Sequence, residues 1–270
     1  MSERDGYQRG VPCWIAGAYP DPDEASRFYA ELFGWEATNL TPPGSSAKYF
    51  LCRLRGRDVA AIVSQQGAPQ APKPAWGTYI WVETADEAAA RAVAAGGGIA
   101  AEPFDSAGGA RTAVLSDSSG ALFGVWQPKE RRGAGIINEA GAWSMSSLNT
   151  GEPDEAKQFY GTVFGWETDM FRLGESEVTL WRVRGYVGGE PEQPVPRDLV
   201  AVMVPTPGGA EPHWSVDFWV DDVDATAAKA AELGGDVVVP PYDIPGFRQA
   251  VLADSQGAAF SVSRVTVGAP

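Results

Sequence analysis

The sequence predicts an α+β protein made of two tandem domains, each a cupped mixed sheet built from two paired βαβββ modules. The first observation is an internal repeat: FYAELFGWEAT at 28–38 returns as FYGTVFGWETD at 159–169, 131 residues later. The second is that AVLSDSSGA at 113–121 returns as AVLADSQGA at 250–258, 137 residues later. Blocks that recur in the same order at nearly the same spacing indicate a duplicated domain.

Each half contains a weaker repeat of its own, in which a strand-like run is followed by an acidic helix start. Asp, Glu or Thr precedes an Ala-rich amphipathic segment, and Gly closes it, as is typical of helix caps. Three strand candidates bounded by Gly, Pro, Ser and Asp follow each helix. The four modules therefore cover about residues 11–66, 74–128, 140–206 and 212–265.

The boundary between the two halves is the charged, Gly-containing stretch PKERRGAGIINEAG. We expect a first domain over 1–128, a linker over 129–141 and a second domain over 142–270. The order in which the modules pair is left open. The first module pairs either with the second or with the fourth, and the second arrangement would put the sole histidine in the same cup as Trp14.

Charge and composition limit the partners. With 35 acidic and 21 basic residues the net charge is −14, which argues against nucleic acid or an anionic membrane as partner. The charge is −2 over 1–135 and −12 over 136–270, so an uncharged or anionic ligand suits the first domain better. The start of the chain lacks the apolar run of a signal peptide, and two cysteines make no disulfide framework. We expect a cytoplasmic protein, either a monomer of two fused domains or a weak homodimer, whose partner is a small molecule.

Three segments carry a family resemblance: DPDEASRFYAELFGW, GTYIWVETADEAAARAVAAGG and LSDSSGALFGVW, each with a copy in the second half. They resemble the vicinal oxygen chelate superfamily, which includes glyoxalase I, extradiol dioxygenases and bleomycin-resistance proteins. In detail the chain is similar to two-domain actinobacterial members described as glyoxalase-like or hydroxylase-like. The resemblance implies that paired modules curl into cups. It also implies that metal-using members hold their ion through His, Gln or Glu on the first and last strands of a module.

Counting along the chain places the positions that this resemblance assigns to metal ligands. In the two domains they fall at Trp14, Gly77, Gly124, Met145, Ser215 and Ser261. None of these is a usual metal ligand, so we predict neither a metal nor another cofactor.

Strand alternation predicts which other side chains face the cups. The predicted ligand-binding set joins the six counted positions to the aromatic residues Tyr79, Trp81, Trp126, Trp143 and Trp219. Small residues leave volume, and aromatic walls suit a flat ring in a largely apolar pocket. The alternative is that the aromatic side chains themselves fill the cups.

Two titratable residues are predicted as catalytic candidates, His213 and Asp217. They share a strand face but lie about 13 Å apart along a regular strand, so a direct pair is not expected. His213 is interpreted as a general acid/base or polar ligand contact, or as a histidine satisfied at a strand entrance. Asp217, inside an apolar run, is interpreted as a general base or as the buried partner of an arginine such as Arg182 or Arg248.

These observations predict a metal-independent protein that binds, sequesters or converts a planar or aromatic metabolite, such as an antibiotic or polyketide-like compound. The first alternative is a glyoxalase-like lyase, or a metal-dependent dioxygenase or hydroxylase with a non-standard metal site. A second alternative is a structural or interaction protein with degenerate pockets. The Pro-rich insert VGGEPEQPVPRD at 187–198 is expected to cover a cup or to form a loop.

Overall fold

The computed structural model describes residues 3–65, 73–173, 176–188, 196–207 and 209–266; for 173, 176 and 177 only the backbone is considered. Most of the Pro-rich insert therefore lies outside the described residues. Within them the chain forms two eight-stranded mixed sheets and four helices, which confirms the predicted α+β fold.

The first sheet has the strand order β2-β3-β4-β1-β5-β8-β7-β6, with β1 parallel to β4 and antiparallel to β5. Its elements are β1 (Pro12–Tyr19), α1 (Pro22–Phe33), β2 (Glu36–Asn39), β3 (Tyr49–Leu54), β4 (Arg57–Ser64), β5 (Ala75–Trp81), α2 (Ala85–Ala94), β6 (Gly98–Ser106), β7 (Ala110–Ser116) and β8 (Leu122–Pro128).

The second sheet repeats this order as β10-β11-β12-β9-β13-β16-β15-β14. Its elements are β9 (Trp143–Thr150), α3 (Pro153–Phe164), β10 (Glu167–Leu173), β11 (Ser176–Arg182), β12 (Leu199–Pro205), β13 (His213–Trp219), α4 (Val223–Glu232), β14 (Asp236–Ile244), β15 (Phe247–Ala253) and β16 (Ala259–Val265). The sheets therefore join the modules in chain order, and His213 does not share a cup with Trp14.

The helices begin and end where the sequence chemistry predicts. At the start of α1 the Asp21 carboxylate accepts hydrogen bonds from the backbone N–H groups of Asp23 and Glu24. It therefore satisfies two first-turn donors that have no partner within the helix. At its end Gly34 takes a left-handed φ of 74°, which glycine adopts without steric cost. The buried face of the helix carries Phe28 and Tyr29 into the core.

The sheets pair the modules within each domain, whereas the helices pair modules of different domains. Helix α1 contacts α4 of the second domain, and α2 contacts α3. The Phe33 and Phe218 rings lie 4.9 Å apart between the domains. One buried cluster is accordingly built mainly from the first and fourth modules, and another mainly from the second and third.

Two buried tyrosine–aspartate pairs hold the domains together in a repeat-related way. Tyr29 donates to Asp254 at 2.9 Å, and Tyr160 donates to Asp117 at 3.1 Å. Each aspartate also accepts backbone N–H groups of its own turn, as expected for the DSSG and DSQG segments. Burial raises the pKa of both tyrosines well above the usual value, so both stay protonated donors.

The predicted linker is packed against the first domain. Ala134 and Ile136 are each only 1% exposed, and the Ala134 N–H donates to the Cys13 carbonyl at 2.8 Å. The Trp35 indole N–H donates to the Gly141 carbonyl at 2.7 Å. This segment therefore contributes core contacts as well as connecting the domains. Separately, no helix in the described part of the chain is long and apolar enough to cross a membrane.

Candidate functional site

The cup of the first domain is largely filled by its own aromatic side chains. Trp14 and Trp126 are 1% and 2% exposed, with ring centroids 5.4 Å apart. The Tyr79 ring lies 6.2 Å from that of Trp126 in an edge-to-face arrangement, which is favourable for aromatic pairs. Trp14 and Trp126 therefore have almost no surface to offer a ligand unless this packing opens.

Gly124 makes room for a tyrosine ring in this structure. A Cβ atom added at Gly124 would lie 2.1 Å from Cδ1 of Tyr79. The expectation that the small residue leaves ligand volume is corrected, because Tyr79 occupies that volume. At Gly77 the nearest atoms to an added Cβ are 3.7 Å away, and Tyr79 and Trp81 keep partial exposure. A ligand role in this cup stays a prediction that depends on Gly77, Tyr79 and Trp81.

A β-bulge shapes the second cup at the start of β9. The register passes from Asp217 opposite Met145 to Phe218 opposite Trp143, which leaves Ser144 as the extra residue. Trp143 packs in the buried cluster between the domains and its indole N–H donates to Ser146 at 3.2 Å, so it does not line the cup as predicted. Strand alternation gave the wrong side because the bulge resets it.

Asp217 lies on the floor of the second cup and is 8% exposed. The Ser144 hydroxyl donates to its Oδ2 at 2.6 Å, and the Ser263 hydroxyl donates to the same oxygen. The Gln249 amide Nε2 lies 3.4 Å from Oδ1. Burial raises the pKa of Asp217, and hydrogen bonds from the serines and Gln249 offset part of that effect.

The predicted arginine partners of Asp217 are held elsewhere. Arg182 pairs with Asp169 at 3.0 Å and with Asp198 at 2.8 Å. Arg248 pairs with Asp224 at 2.6 Å and with Asp243 at 3.0 Å. The interpretation of Asp217 as half of a buried ion pair with Arg182 or Arg248 is therefore wrong, and hydroxyl and amide donors stabilise it instead.

His213 is not brought together with Asp217. It lies exposed at the first position of β13, and its ring Nδ1 is 2.9 Å from the Glu211 carbonyl. This placement matches a histidine satisfied at a strand entrance, and its catalytic role stays a prediction.

Four other predicted residues keep partial exposure on the concave face of the second cup: Met145, Ser215, Trp219 and Ser261. Asn149 adds an amide to this face, donating to the Ser215 hydroxyl at 3.0 Å. The second cup is thus more polar than the first, and Met145 keeps partial exposure where its counterpart Trp14 is buried.

Sequence reasoning missed the donors around Asp217, although the repeat contains the signal. With Asp217 and Ser261, the polar set of the second cup is completed by Ser144, Gln249 and Ser263. The corresponding residues of the first repeat are Cys13, Tyr79, Thr112, Gly124 and Trp126. Overlaying the two halves would have shown a largely apolar set, in which Thr112 and Tyr79 supply the hydroxyls, replaced by a set of three serine hydroxyls, an amide and a carboxyl.

The sheet register shows which of the counted metal-ligand positions are neighbours. Gly77 pairs with Ala16 and Ser215 with Ser147. Tyr79 lies opposite Gly124, and Asp217 lies opposite Met145 and Ser261. The counted fifth-strand positions, Gly77 and Ser215, stay a prediction and lie two residues from Tyr79 and Asp217.

The donor chemistry of Met145, Asp217 and Ser261 does not fit the metal site that the resemblance implies for metal-using members. The second cup offers a thioether, a carboxylate and a hydroxyl, a set that mixes soft and hard donors and lacks an imidazole. Among the described residues there is also no group of three or more His, Cys, Asp or Glu that could hold a metal ion. We derive no chemical step through a metal.

Two hollows lie outside the cups. One, of about 40 Å³, touches Ser144 and Met145 at the end of the second cup and is also lined by Tyr186 and Leu199. The other, of about 350 Å³, is a groove between α1 and α4 beside Asp222. The smaller one has room for about a water molecule.

Comparison with known proteins agrees with this fold. Residues 14–125 match the Glyoxalase/Bleomycin resistance protein/Dioxygenase superfamily, and residues 145–263 match the Glyoxalase-like domain family. "Putative glyoxylase CFP32" of Mycobacterium tuberculosis (strain CDC 1551 / Oshkosh) is 38% identical over 266 residues, covering 97% of each chain. The chain belongs to the glyoxalase/bleomycin resistance/dioxygenase superfamily.

Other members of the superfamily are similar along the whole chain. "Anthracycline biosynthesis protein DauV" of Streptomyces sp. (strain C5) is 34% identical, covering 95% of this chain and 94% of that one. The Mn(II)-bound glyoxalase of Novosphingobium aromaticivorans has a TM-score of 0.63 at 16% identity, covering 95% and 83% of the chains. The 2,3-dioxygenase LapB of Pseudomonas sp. KL28 has a TM-score of 0.62 at 15% identity, covering 95% and 93%. At such identities the solved structures show the fold alone.

Proposed function

We propose that the protein binds a planar aromatic metabolite of the polyketide type in its second cup, without the usual metal site of the superfamily. The observation that carries the proposal is the contrast between the cups. Met145 and Ser261 keep partial exposure in the second cup, whereas their counterparts in the first repeat, Trp14 and Gly124, are buried.

The composition of the second cup suits such a ligand. Small-molecule sites are mostly apolar with a few fixed polar groups. Trp219 and Met145 supply apolar surface, while the hydroxyls of Ser215 and Ser261 and the Asp217 carboxyl supply hydrogen bonds. The similarity to a protein named for anthracycline biosynthesis supports a polycyclic ring system as the ligand class.

Charge supports a neutral or cationic ligand. Residues 136–270 carry a net charge of −12, which disfavours an anion in the second cup. The proposed site therefore lies in the second domain, although by net charge alone an uncharged or anionic ligand suits the first domain better. Net charge does not show which cup has accessible surface.

The test is calorimetric titration with 1,4-dihydroxyanthraquinone, a planar polycyclic quinone, with and without a metal chelator. Ser215→Phe fills the second cup, and Gly77→Phe is the matched change at the same position of the first repeat. We expect Ser215→Phe to weaken binding at least about tenfold, which corresponds to about 1.4 kcal/mol. Gly77→Phe and the chelator should leave the affinity unchanged.

Two results would count against the proposal. The first is no binding by the wild-type protein up to the solubility limit of the quinone. The second is stoichiometric metal by elemental analysis together with binding or turnover that chelation abolishes, which would support the lyase or dioxygenase alternative.

A further inference from the structure

We infer that Gln249 determines specificity in the second cup, by donating a hydrogen bond from its amide Nε2 to a carbonyl oxygen of the bound ligand. Tyr242 is a positioning residue that holds the Gln249 amide in this orientation. The inference rests on the proposed function, because it requires the ligand to lie in the second cup. It narrows the ligand class from planar aromatic compounds to those that present a ketone or quinone oxygen.

Tyr242 and Gln249 lie on the same face of the second sheet as Asp217. Gln249 of β15 pairs with Tyr242 of β14 on one side and with Ser263 of β16 on the other. Residues directly opposite each other on neighbouring strands project to the same face of a sheet. The Ser263 hydroxyl donates to Asp217, and Gln249 Nε2 lies 3.4 Å from Asp217 Oδ1. The amide of Gln249 therefore borders the floor of the second cup.

Two neighbours fix the direction in which the Gln249 amide points. On one side the Tyr242 hydroxyl donates to Oε1 at 3.0 Å. Burial, and then the charge of Asp217, raise the pKa of Tyr242, so its hydroxyl stays protonated and can donate. On the other side Asp217 accepts from the hydroxyls of Ser144 and Ser263 and presents Oδ1 to Nε2. Reversing the amide would place Oε1 against Oδ1, two acceptors, so both neighbours select the same orientation.

The Gln249 amide retains an N–H group for a ligand. An amide nitrogen carries two N–H donors. Within the described part of the chain the polar contact of Nε2 is Asp217 Oδ1 at 3.4 Å, which is long for a hydrogen bond and engages at most one of the two. Gln249 keeps partial exposure, so the other N–H can reach an acceptor above the cup floor. The hydrogen bond that Oε1 accepts from Tyr242 polarises the amide and makes its N–H groups stronger donors.

The first repeat lacks this arrangement. The corresponding residues on β6, β7 and β8, which pair across the strands in the same order, are Phe104, Thr112 and Trp126. Phe104 has no hydroxyl that could orient an amide. Thr112 is 3% exposed, and its Oγ1 has no hydrogen-bond partner among the described residues. The oriented amide donor is therefore particular to the second cup, and Thr112→Val is the matched change in the first.

The experiment is calorimetric titration with two ligands, 1,4-dihydroxyanthraquinone and 1-hydroxyanthracene, of which the second has three fused rings but no carbonyl group. Gln249→Leu removes the amide and keeps an apolar side chain. We expect Gln249→Leu to weaken quinone binding at least about tenfold and hydroxyanthracene binding less than about threefold. Thr112→Val should leave both affinities unchanged.

Tyr242→Phe tests the positioning role, because it removes the hydroxyl that orients the amide and keeps the ring. We expect it to weaken quinone binding about threefold to tenfold in wild type and less than about twofold in a Gln249→Leu background, since Tyr242 acts through the amide. Infrared spectroscopy of the bound quinone supplies a readout that altered packing alone would not move. A hydrogen bond lowers the stretching frequency of a carbonyl group, so the frequency should be lower in the wild-type complex than in the Gln249→Leu complex.

The outcomes separate this inference from the proposed function. If wild type binds the quinone but Gln249→Leu binds it as tightly, or weakens both ligands equally, Gln249 does not recognise the carbonyl oxygen and the inference is overturned. The infrared spectrum of the wild-type complex needs no variant, and a carbonyl frequency equal to that of the quinone in an apolar solvent would overturn the inference by itself. If wild type does not bind the quinone, the proposed function fails, and the inference fails with it.

Discussion

Replacing Gly124 by alanine tests whether the first cup is filled by Tyr79. The added methyl would lie 2.1 Å from Cδ1 and 2.3 Å from Cε1 of the ring. Carbon atoms without a bond between them approach to about 3.5–4.0 Å, so the ring must move by more than about 1 Å. Trp126 packs edge-to-face against the same ring at a centroid distance of 6.2 Å, so movement of the ring also disturbs this contact.

The expected change in the free energy of unfolding combines the cost of overpacking with the effect of alanine on the unfolded chain. Forcing extra carbon into a packed site costs about 1–3 kcal/mol. Replacing glycine by alanine also restricts the unfolded chain, which returns about 0.4–1 kcal/mol. We therefore expect Gly124→Ala to lower the free energy of unfolding by about 1.3 kcal/mol at the middle of these ranges, and by about 2.6 kcal/mol at most.

The assay is urea unfolding, with Gly77→Ala as the matched control. At Gly77 the nearest atoms to an added Cβ are 3.7 Å away, so this variant should stay within about 1 kcal/mol of wild type. In a Tyr79→Ala background the Gly124→Ala change should cost less than about 0.5 kcal/mol, because the clash is gone. If Gly124→Ala were as stable as Gly77→Ala, Tyr79 would not be seated in the cup and the contrast between the two cups would fail.

Two further predictions concern buried carboxyl groups. Because folding raises the pKa of Asp217, wild type should lose stability relative to Asp217→Asn as pH rises from the ordinary aspartate pKa to the raised one. Urea unfolding at stepped pH, with Asp236→Asn as exposed control, measures it; a pH-independent difference would contradict the raised pKa. Tyr29→Phe should cost about 1–3 kcal/mol, since Asp254 and the Trp76 indole N–H each lose a partner. Thermal unfolding that matches wild type would show that this pair does not hold the domains together.

The fold was predictable because its signals are local and repeated. The recurrence of FYAELFGW as FYGTVFGW indicated the duplication, and the acidic residues that precede each helix predicted where its first turn lies. The pairing order of the modules was not predictable, since both orders place the same alternating strands side by side. The structure uses both relations: sheets join modules in chain order, and helices join the first to the fourth and the second to the third.

The candidate site was predictable only in part. Asp217 was identified because a carboxylate inside an apolar strand needs an explanation, but its partners come from two other strands and a bulge. The extra residue Ser144 shifts the register of β9, so alternation misplaced Trp143. The packing of the Tyr79 ring against Gly124 could not be predicted from the sequence. A glycine at this position is compatible both with a packed ring and with open space for a ligand.

The most direct test of the account is the number of ligand molecules bound per chain. Equilibrium dialysis with 1,4-dihydroxyanthraquinone should give one molecule per chain for wild type and for Gly77→Phe, because Tyr79 fills the first cup. It should give none for Ser215→Phe at the same concentration. Two molecules per chain, or one that persists in Ser215→Phe, would contradict the placement of the ligand in the second cup.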